Sequence, residues 1–477
     1  MSRLKSTAFP VRGWWWLVPL LLLIAALGAR SINADAIWFD EYWSLYQSGA
    51  AHYGPLSPLD IWQRVADTSV WPPAYHLTLA AWEAVAGSMP FAGRWLALLF
   101  GLLTVAVTYR LGRDLFRSTW VGGDVAALGA AVAMGGSAYF VNYLHELRGY
   151  TLYTLVVAFG VWAYWRAVTI ERPTWRTYAA LLIGLTGLLY IHFFAALVFI
   201  ALGLYHLLFV AKTRRWWLIT FMAVMAGVLF LPWVRQALRD LDYAQTGDAF
   251  RLRALSAGEV LTGLVAAFGN GSVALLAFVM AFALGAKGRS VRLLWLWLIV
   301  VLVGGLLVNE ALRILTEVRY LLALWPALAL LFGVGIQQLA VVGALREAPL
   351  RRINIAALIL VLWLAAGVWN SLDPAFGDNT RKGAFTDLPL RELRATLAER
   401  AQADDAIVLE RPDHVWALQP VFDYYTHGLP GRYAIMETLL GRQQDDEFYW
   451  QVKAFLVNAP RVWIAVDKTL PPNFRLA

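Results

Sequence analysis

The residues that could do chemistry stand in short polar or aromatic stretches between long apolar runs. Asp40 and Glu41 are adjacent in WFDEYWSLY (residues 38–46), and Glu146 and Arg148 share YLHELRGY (143–150). Arg319 heads RYLLALWP (319–326), His76 follows Pro72-Pro73 in SVWPPAYH (69–76), and His192 is central to YIHFF (190–194). Adjacent carboxylates beside a bilayer lose solvation and gain nothing in packing, so they read as a functional site by default. A carboxylate within about 3 Å of a hydroxyl can take its proton. An arginine fork makes two charge-assisted bonds to a phosphate, which an ammonium cannot match. Each residue also has a plainer account. The acids can belong to a solvated loop, Glu146 and Arg148 to a local ion pair, Arg319 to a snorkelling helix end, and each histidine to a structural hydrogen bond. Neighbouring residues point in different directions on a helix or a strand, so Glu41 need not act together with Asp40.

The elements that hold these residues are set by composition. Of 477 residues 60% are hydrophobic and only 15% charged, against about 25% in soluble proteins. This is the composition of a membrane protein. The formal net charge of +8 does not imply a nucleic-acid partner, because the Lys and Arg residues fall in short clusters between apolar segments and act as topology signals and lipid contacts. With no Cys there is no disulfide framework and no thiolate metal site. The 24 Trp and 19 Tyr suit an interfacial belt and also sugar-stacking surfaces. No phosphate-binding glycine loop occurs in a strand–turn–helix setting, so cytosolic nucleotide use has no support.

Arg3, Lys5 and Arg12 precede a first apolar helix at Trp14–Ala29, retained and with its N-terminus cytoplasmic. Asp40 then lies outside, in a large first loop of residues 31–91 whose apolar stretch after Pro73 is short for a span. Spans are expected at 92–111, 125–141, 152–168, 178–190, 193–210, 216–234, 260–284, 293–308, 320–342 and 353–369, about eleven in all. Residues 235–258 read as an outer loop whose Arg235, Arg239, Arg251 and Arg253 break the positive-inside bias, as an anion-bound loop would. From residue 372 charges become dense. A helix is expected over 388–402, strands at 406–410 and 461–467, and a helix over 439–458. Trp416, Tyr424, Tyr425 and His427 there could stack on a glycan, but their expected role is that domain's core.

The four motifs WFDEYWSLY, SVWPPAYH with the following FAGRWLALLF, YLHELRGY and RYLLALWP, in this order and on one side, resemble those of the polytopic GT-C glycosyltransferases of the protein mannosyltransferase and aminoarabinose-transferase type. The resemblance spans nearly all of residues 14–369. It implies a mainly α polytopic transmembrane bundle over residues 1–371, followed by a small extracytoplasmic α/β domain at 372–477. It implies transfer of a sugar, with inversion, from a polyprenyl-phosphate donor to a glycan, lipid or protein acceptor at the outer face of a bacterial inner membrane. Asp40 falls on the family's catalytic acid, and Glu41 would orient it, bind sugar hydroxyls or hold a metal. Glu146 would be a second acid, while Arg148, Arg319, His192 and His76 would meet the donor phosphate. Some members carry a Lys near the Pro-Pro element; Val70-Trp71 stand there instead, so that contact is not carried over. The family includes members with zinc and members without any metal, so no cofactor is assigned, and a divalent metal held by Asp40, Glu146 and a histidine stays open. The competing class is a transporter or flippase of lipid-linked sugars. That class places ionisable residues near the midplane, whereas these gather at span ends.

Overall fold

The structure, a computed structural model, describes residues 14–30, 32–33, 36–69, 71–117, 123–246, 254–345, 355–373, 376, 389–410, 415–435 and 455–466. The chain divides into two compact units, Met1–Ile32 with Pro55–Asp378 and Asn33–Gly54 with Asn379–Ala477. Helices are numbered along the chain: α1 (Trp14–Ala29), α2 (Phe39–Ser48, in the second unit), α3 (Pro58–Thr68), α4 (Ala74–Ala86), α5 (Pro90–Leu115), α6 (Asp124–Gly135), α7 (Ala138–Val141), α8 (Tyr150–Thr169), α9 (Trp175–Ile191), α10 (Ala195–Phe209), α11 (Arg214–Thr246), α12 (Ala257–Phe268), α13 (Val273–Leu284), α14 (Arg289–Leu312), α15 (Trp325–Leu345) and α16 (Ile355–Leu372).

The first unit is a multi-pass membrane bundle. Among the described residues six helices are long and apolar enough to cross a membrane, and the bent pair α12–α13 is a seventh candidate. The apolar helices α1, α6, α9 and α10 are shorter, below the roughly 20 residues of a perpendicular span. In a bilayer every backbone polar group must bond internally, so these apolar runs become helices. The most enclosed is α15, where Leu330, Leu331 and Phe332 are fully buried. Gly333 lets α15 touch α6 backbone to backbone, since a Cβ there would sit 2.1 Å from the Ala126 carbonyl oxygen.

Two expectations need correction, and a third is refined. The span expected at 260–284 is broken, with α12 and α13 meeting at 93°. Asn270 and Gly271 turn the chain with φ of +53° and +76°. The buried Asn270 amide donates to the carbonyls of Gly136 and Trp363 and accepts from the Ala138 N–H, so the break leaves these groups bonded. Residues 235–246 are not loop: with no Gly or Pro there, α11 runs on to Thr246. On it Gln236 and Arg239 both donate to the Ala66 carbonyl, and Arg239 lies 3.8 Å from the Asp67 carboxylate, so this arginine has a protein partner. Arg251 and Arg253 lie outside the described residues. The span expected at 320–342 is present as a candidate over Val318–Val341, and its first seven residues, Val318–Leu324, form a 3₁₀ segment that leads into α15.

The second unit pairs α2 with α17 (Leu390–Arg400), α18 (Val415–Thr426) and a three-stranded parallel sheet of β1 (Ala406–Glu410), β2 (Arg432–Ile435) and β3 (Val462–Val466), in the order β2–β1–β3. Parallel strands need crossovers, and α18 supplies the one between β1 and β2. β2 was not foreseen; most of the helix expected over 439–458 lies outside the described residues. Gly431 enters β2 at φ +106°, where a Cβ would meet Ile407 at 2.4 Å. The core joins Ile407 and Leu409 to Leu397, Phe422 and Trp38. Segment Asn33–Gly54 therefore groups with the C-terminal residues rather than with the first unit: Trp38 sits in this core and the Ile37 N–H donates to the Tyr425 hydroxyl at 3.0 Å.

Asp405 ties the base of the sheet. Its buried carboxylate accepts from Arg461 at 2.9 and 2.7 Å, from the Trp463 indole at 2.8 Å and from the Gln402 N–H at 2.9 Å. Chiefly the Arg461 bonds hold its pKa down to about 2, from 3.8. A depressed carboxylate stabilises the folded state above its unfolded pKa, and that stability is lost as pH falls through the folded value. The stability of the second unit should therefore fall between pH 3.8 and about 2, and Asp405→Asn should lower its melting temperature at neutral pH and flatten this acid limb. Thermal melts at several pH values check both.

Candidate functional site

Within the first unit, three connections converge on one pocket. Trp71, Pro72, Tyr75 and His76 reach it from the start of α4; Arg148, Gly149, Tyr150 and Tyr153 from the start of α8; and Ile191 and His192 from the end of α9. The Pro72-Pro73 pair sets the start of α4, since proline is at home where the first N–H groups have no helical partner. A short turn sets Arg148, whose N–H donates to the Glu146 carbonyl at 2.7 Å. Gly149 is required by packing: a Cβ there would meet the Tyr75 ring at 2.9 Å.

His192 is the most tightly defined side chain of the pocket. Its ring lies between Trp71 at 4.2 Å and Tyr153 at 4.4 Å, tilted by 21° and 8°. Tyr153 is fixed in turn by donating its hydroxyl to the Tyr320 carbonyl at 3.0 Å. The His192 Nδ1 accepts the Phe194 N–H at 3.2 Å, so in the neutral ring the proton is on Nε2. That Nε2 is buried and has no hydrogen-bond partner among the described residues; neither has Nδ1 of the buried His76. Burial, and then the charge of Arg148, push both histidines down to about 3, so each is neutral near pH 7.

The structure thus brings His76, Arg148 and His192 to one pocket. Arg319 adjoins it, its guanidinium 5.5 Å from the centre of the Tyr150 ring, and is buried, as is Glu146 two residues before Arg148. Asp40 and Glu41 belong to the other unit, in the first turn of α2. There they differ: Glu41 is buried and its Oε2 accepts the Trp38 N–H at 3.3 Å, fixing the start of the helix, whereas Asp40 is half-exposed. Among the described residues no group of three or more His, Cys, Asp or Glu side chains is placed to hold a metal ion. Reasoning from the sequence missed Trp71 and Tyr153. The signal for Trp71 was its position beside Pro72-Pro73; nothing in the sequence singled out Tyr153 from the other aromatic residues of its span.

No protein-family model matches the sequence, and comparison with curated proteins gives no match either. Solved structures do match. Crystal structures of ArnT from Cupriavidus metallidurans, in the apo state and bound to undecaprenyl phosphate, each align with TM-score 0.57 at 14% identity, covering 95% of this chain and 89% and 90% of theirs. The apo oligosaccharyltransferase of Archaeoglobus fulgidus aligns with TM-score 0.51 at 12% identity over 87% of this chain and 64% of that one. The chain has the polytopic helical fold of GT-C glycosyltransferases.

Proposed function

We propose that the protein is an inverting membrane glycosyltransferase that moves a sugar from a polyprenyl-phosphate donor to a glycan, lipid or protein acceptor. In this reading it sits in a bacterial inner membrane, N-terminus cytoplasmic, with the transfer at the outer face. The observation that carries the reading is the pocket in which Arg148 meets two buried, neutral imidazoles with unpartnered ring nitrogens. A buried N–H without an acceptor costs free energy, and a phosphate oxygen would relieve it while its charge balances the arginines. The fold shared with an ArnT structure that binds undecaprenyl phosphate supports a lipid-linked donor.

Asp40 takes the proton of an acceptor hydroxyl as that oxygen attacks the anomeric carbon. The carbon–oxygen bond to the phosphate breaks, its electron pair leaves with the phosphate, and a singly charged diester becomes a doubly charged monoester. Arg148, Arg319 and the His192 N–H meet the charge that grows in this step, so they hold the transition state more tightly than the donor. His76 helps to seat the phosphate, and Glu146 is the second acid of the site. Glu41 serves the start of α2. A single displacement inverts the anomeric centre: with a donor of known configuration, NMR of the product should show the opposite anomer, and a retained anomer would exclude this mechanism.

A further inference from the structure

In the second unit a run of aromatic rings starts on α2 and ends at the last residues before β2. Tyr42 and Tyr46 stack at 6.1 Å, each meets Tyr53 edge-on, and Tyr53 lies 6.4 Å from Tyr424 with the rings 29° apart. His52 follows, 3.7 Å from the His427 ring and 8° from parallel to it. Both histidines are exposed, and among the described residues His427 meets no ring other than His52. Tyr425 belongs to the core, but Tyr424 is only half-buried and His427 is exposed, so the core role expected for them does not hold. The Trp416 side chain lies outside the described residues.

We propose that His52, Tyr53, Tyr424 and His427 form a carbohydrate platform that seats a sugar ring of the acceptor; the proposal rests on the transferase reading above. Every ring of the cluster has an apolar face and a polar edge, a hydroxyl or a ring nitrogen. A sugar ring is its complement, with C–H groups on its faces, drawn to the electron-rich aromatic face, and hydroxyls at its rim. A lipid tail would leave those polar edges without partners. The track begins at Tyr42, two residues from Asp40 on the same helix, so a glycan held along it belongs to the unit that carries the proposed base.

A neutral His52 favours the platform. Desolvation, then His427 and Arg394, lower the pKa of His52, and two imidazolium rings 3.7 Å apart would repel. Tyr53 and Tyr424 face His52, and Asp423 acts on the neighbouring Tyr53 hydroxyl.

Saturation-transfer NMR on the full chain in detergent, with chitotriose, maltotriose and mannotriose as probes, tests this. At least one trisaccharide should receive saturation at its ring C–H protons at neutral pH. His427→Ala and His52→Ala should each weaken that binding by about tenfold. Among the described residues the one hydrogen bond of His427 is accepted by its backbone carbonyl from Arg394, so its side chain can be removed without disturbing the core. No saturation transfer to any probe, or equal transfer in both variants, overturns the platform. Polyprenyl-phosphate binding is measured on the same samples: its absence would count against the transferase reading, while saturation transfer reports on the platform separately.

Discussion

Asp40→Asn is expected to cut sugar transfer by about 10²–10⁴-fold while leaving the affinity for polyprenyl phosphate unchanged. The amide keeps the size of the carboxylate and can still hydrogen-bond, but it cannot take the acceptor's proton. The start of α2 is held by Glu41, which accepts the Trp38 N–H, and by Trp38, packed in the core of the second unit. The loss should therefore fall on turnover rather than on folding. Glu41→Gln is the internal comparison: its amide oxygen can still accept from Trp38, so most of the turnover should remain. Initial rates for the three proteins, with binding isotherms for the lipid phosphate, separate the two effects. Near-normal turnover in Asp40→Asn would remove it as the base.

The second large effect is expected at Arg148. A hydrogen bond to a charged group contributes about 1.5–3 kcal/mol, so losing a two-pronged contact costs roughly 3–6 kcal/mol. At about 1.4 kcal/mol per tenfold, Arg148→Ala should weaken polyprenyl-phosphate binding by about 10²–10⁴-fold. Arg148→Lys should recover little, because an ammonium is a point charge without the planar fork. His192→Phe keeps a ring between Trp71 and Tyr153 but removes the Nε2 donor, and about a tenfold loss is expected. Native mass spectrometry with bound lipid phosphate reads all three. Wild-type affinity in Arg148→Ala would mean that the pocket does not take the phosphate.

The membrane bundle was legible in the sequence because the bilayer imposes its own length and composition on each span. The break at Asn270 was not, because its cause is a set of bonds to Gly136, Ala138 and Trp363, residues roughly a hundred positions away or more. The end of α11 was misread for a related reason: Arg235 and Arg239, which look like a loop's charges, continue the helix, and Arg239 bonds to Ala66 and Asp67. In the pocket, the sequence singled out the polar members, His76, Arg148 and His192, from residue type and position at span ends. It could not supply the aromatic sandwich that fixes the His192 ring, since stacking across three elements leaves no local pattern. The grouping of Asn33–Gly54 with the C-terminal residues was hidden in the same way. A tryptophan beside two acids looks like part of an interfacial belt until the core that receives it is known.

The most direct test of the account is incubation of the purified protein in detergent with a panel of polyprenyl-phosphate sugars and an oligosaccharide acceptor, following donor loss and polyprenyl-phosphate release by mass spectrometry. The account predicts that one donor is consumed, that free polyprenyl phosphate appears in equal amount, and that Asp40→Asn binds the same donor without consuming it. Consumption of none of the donors, with binding to none, would contradict it.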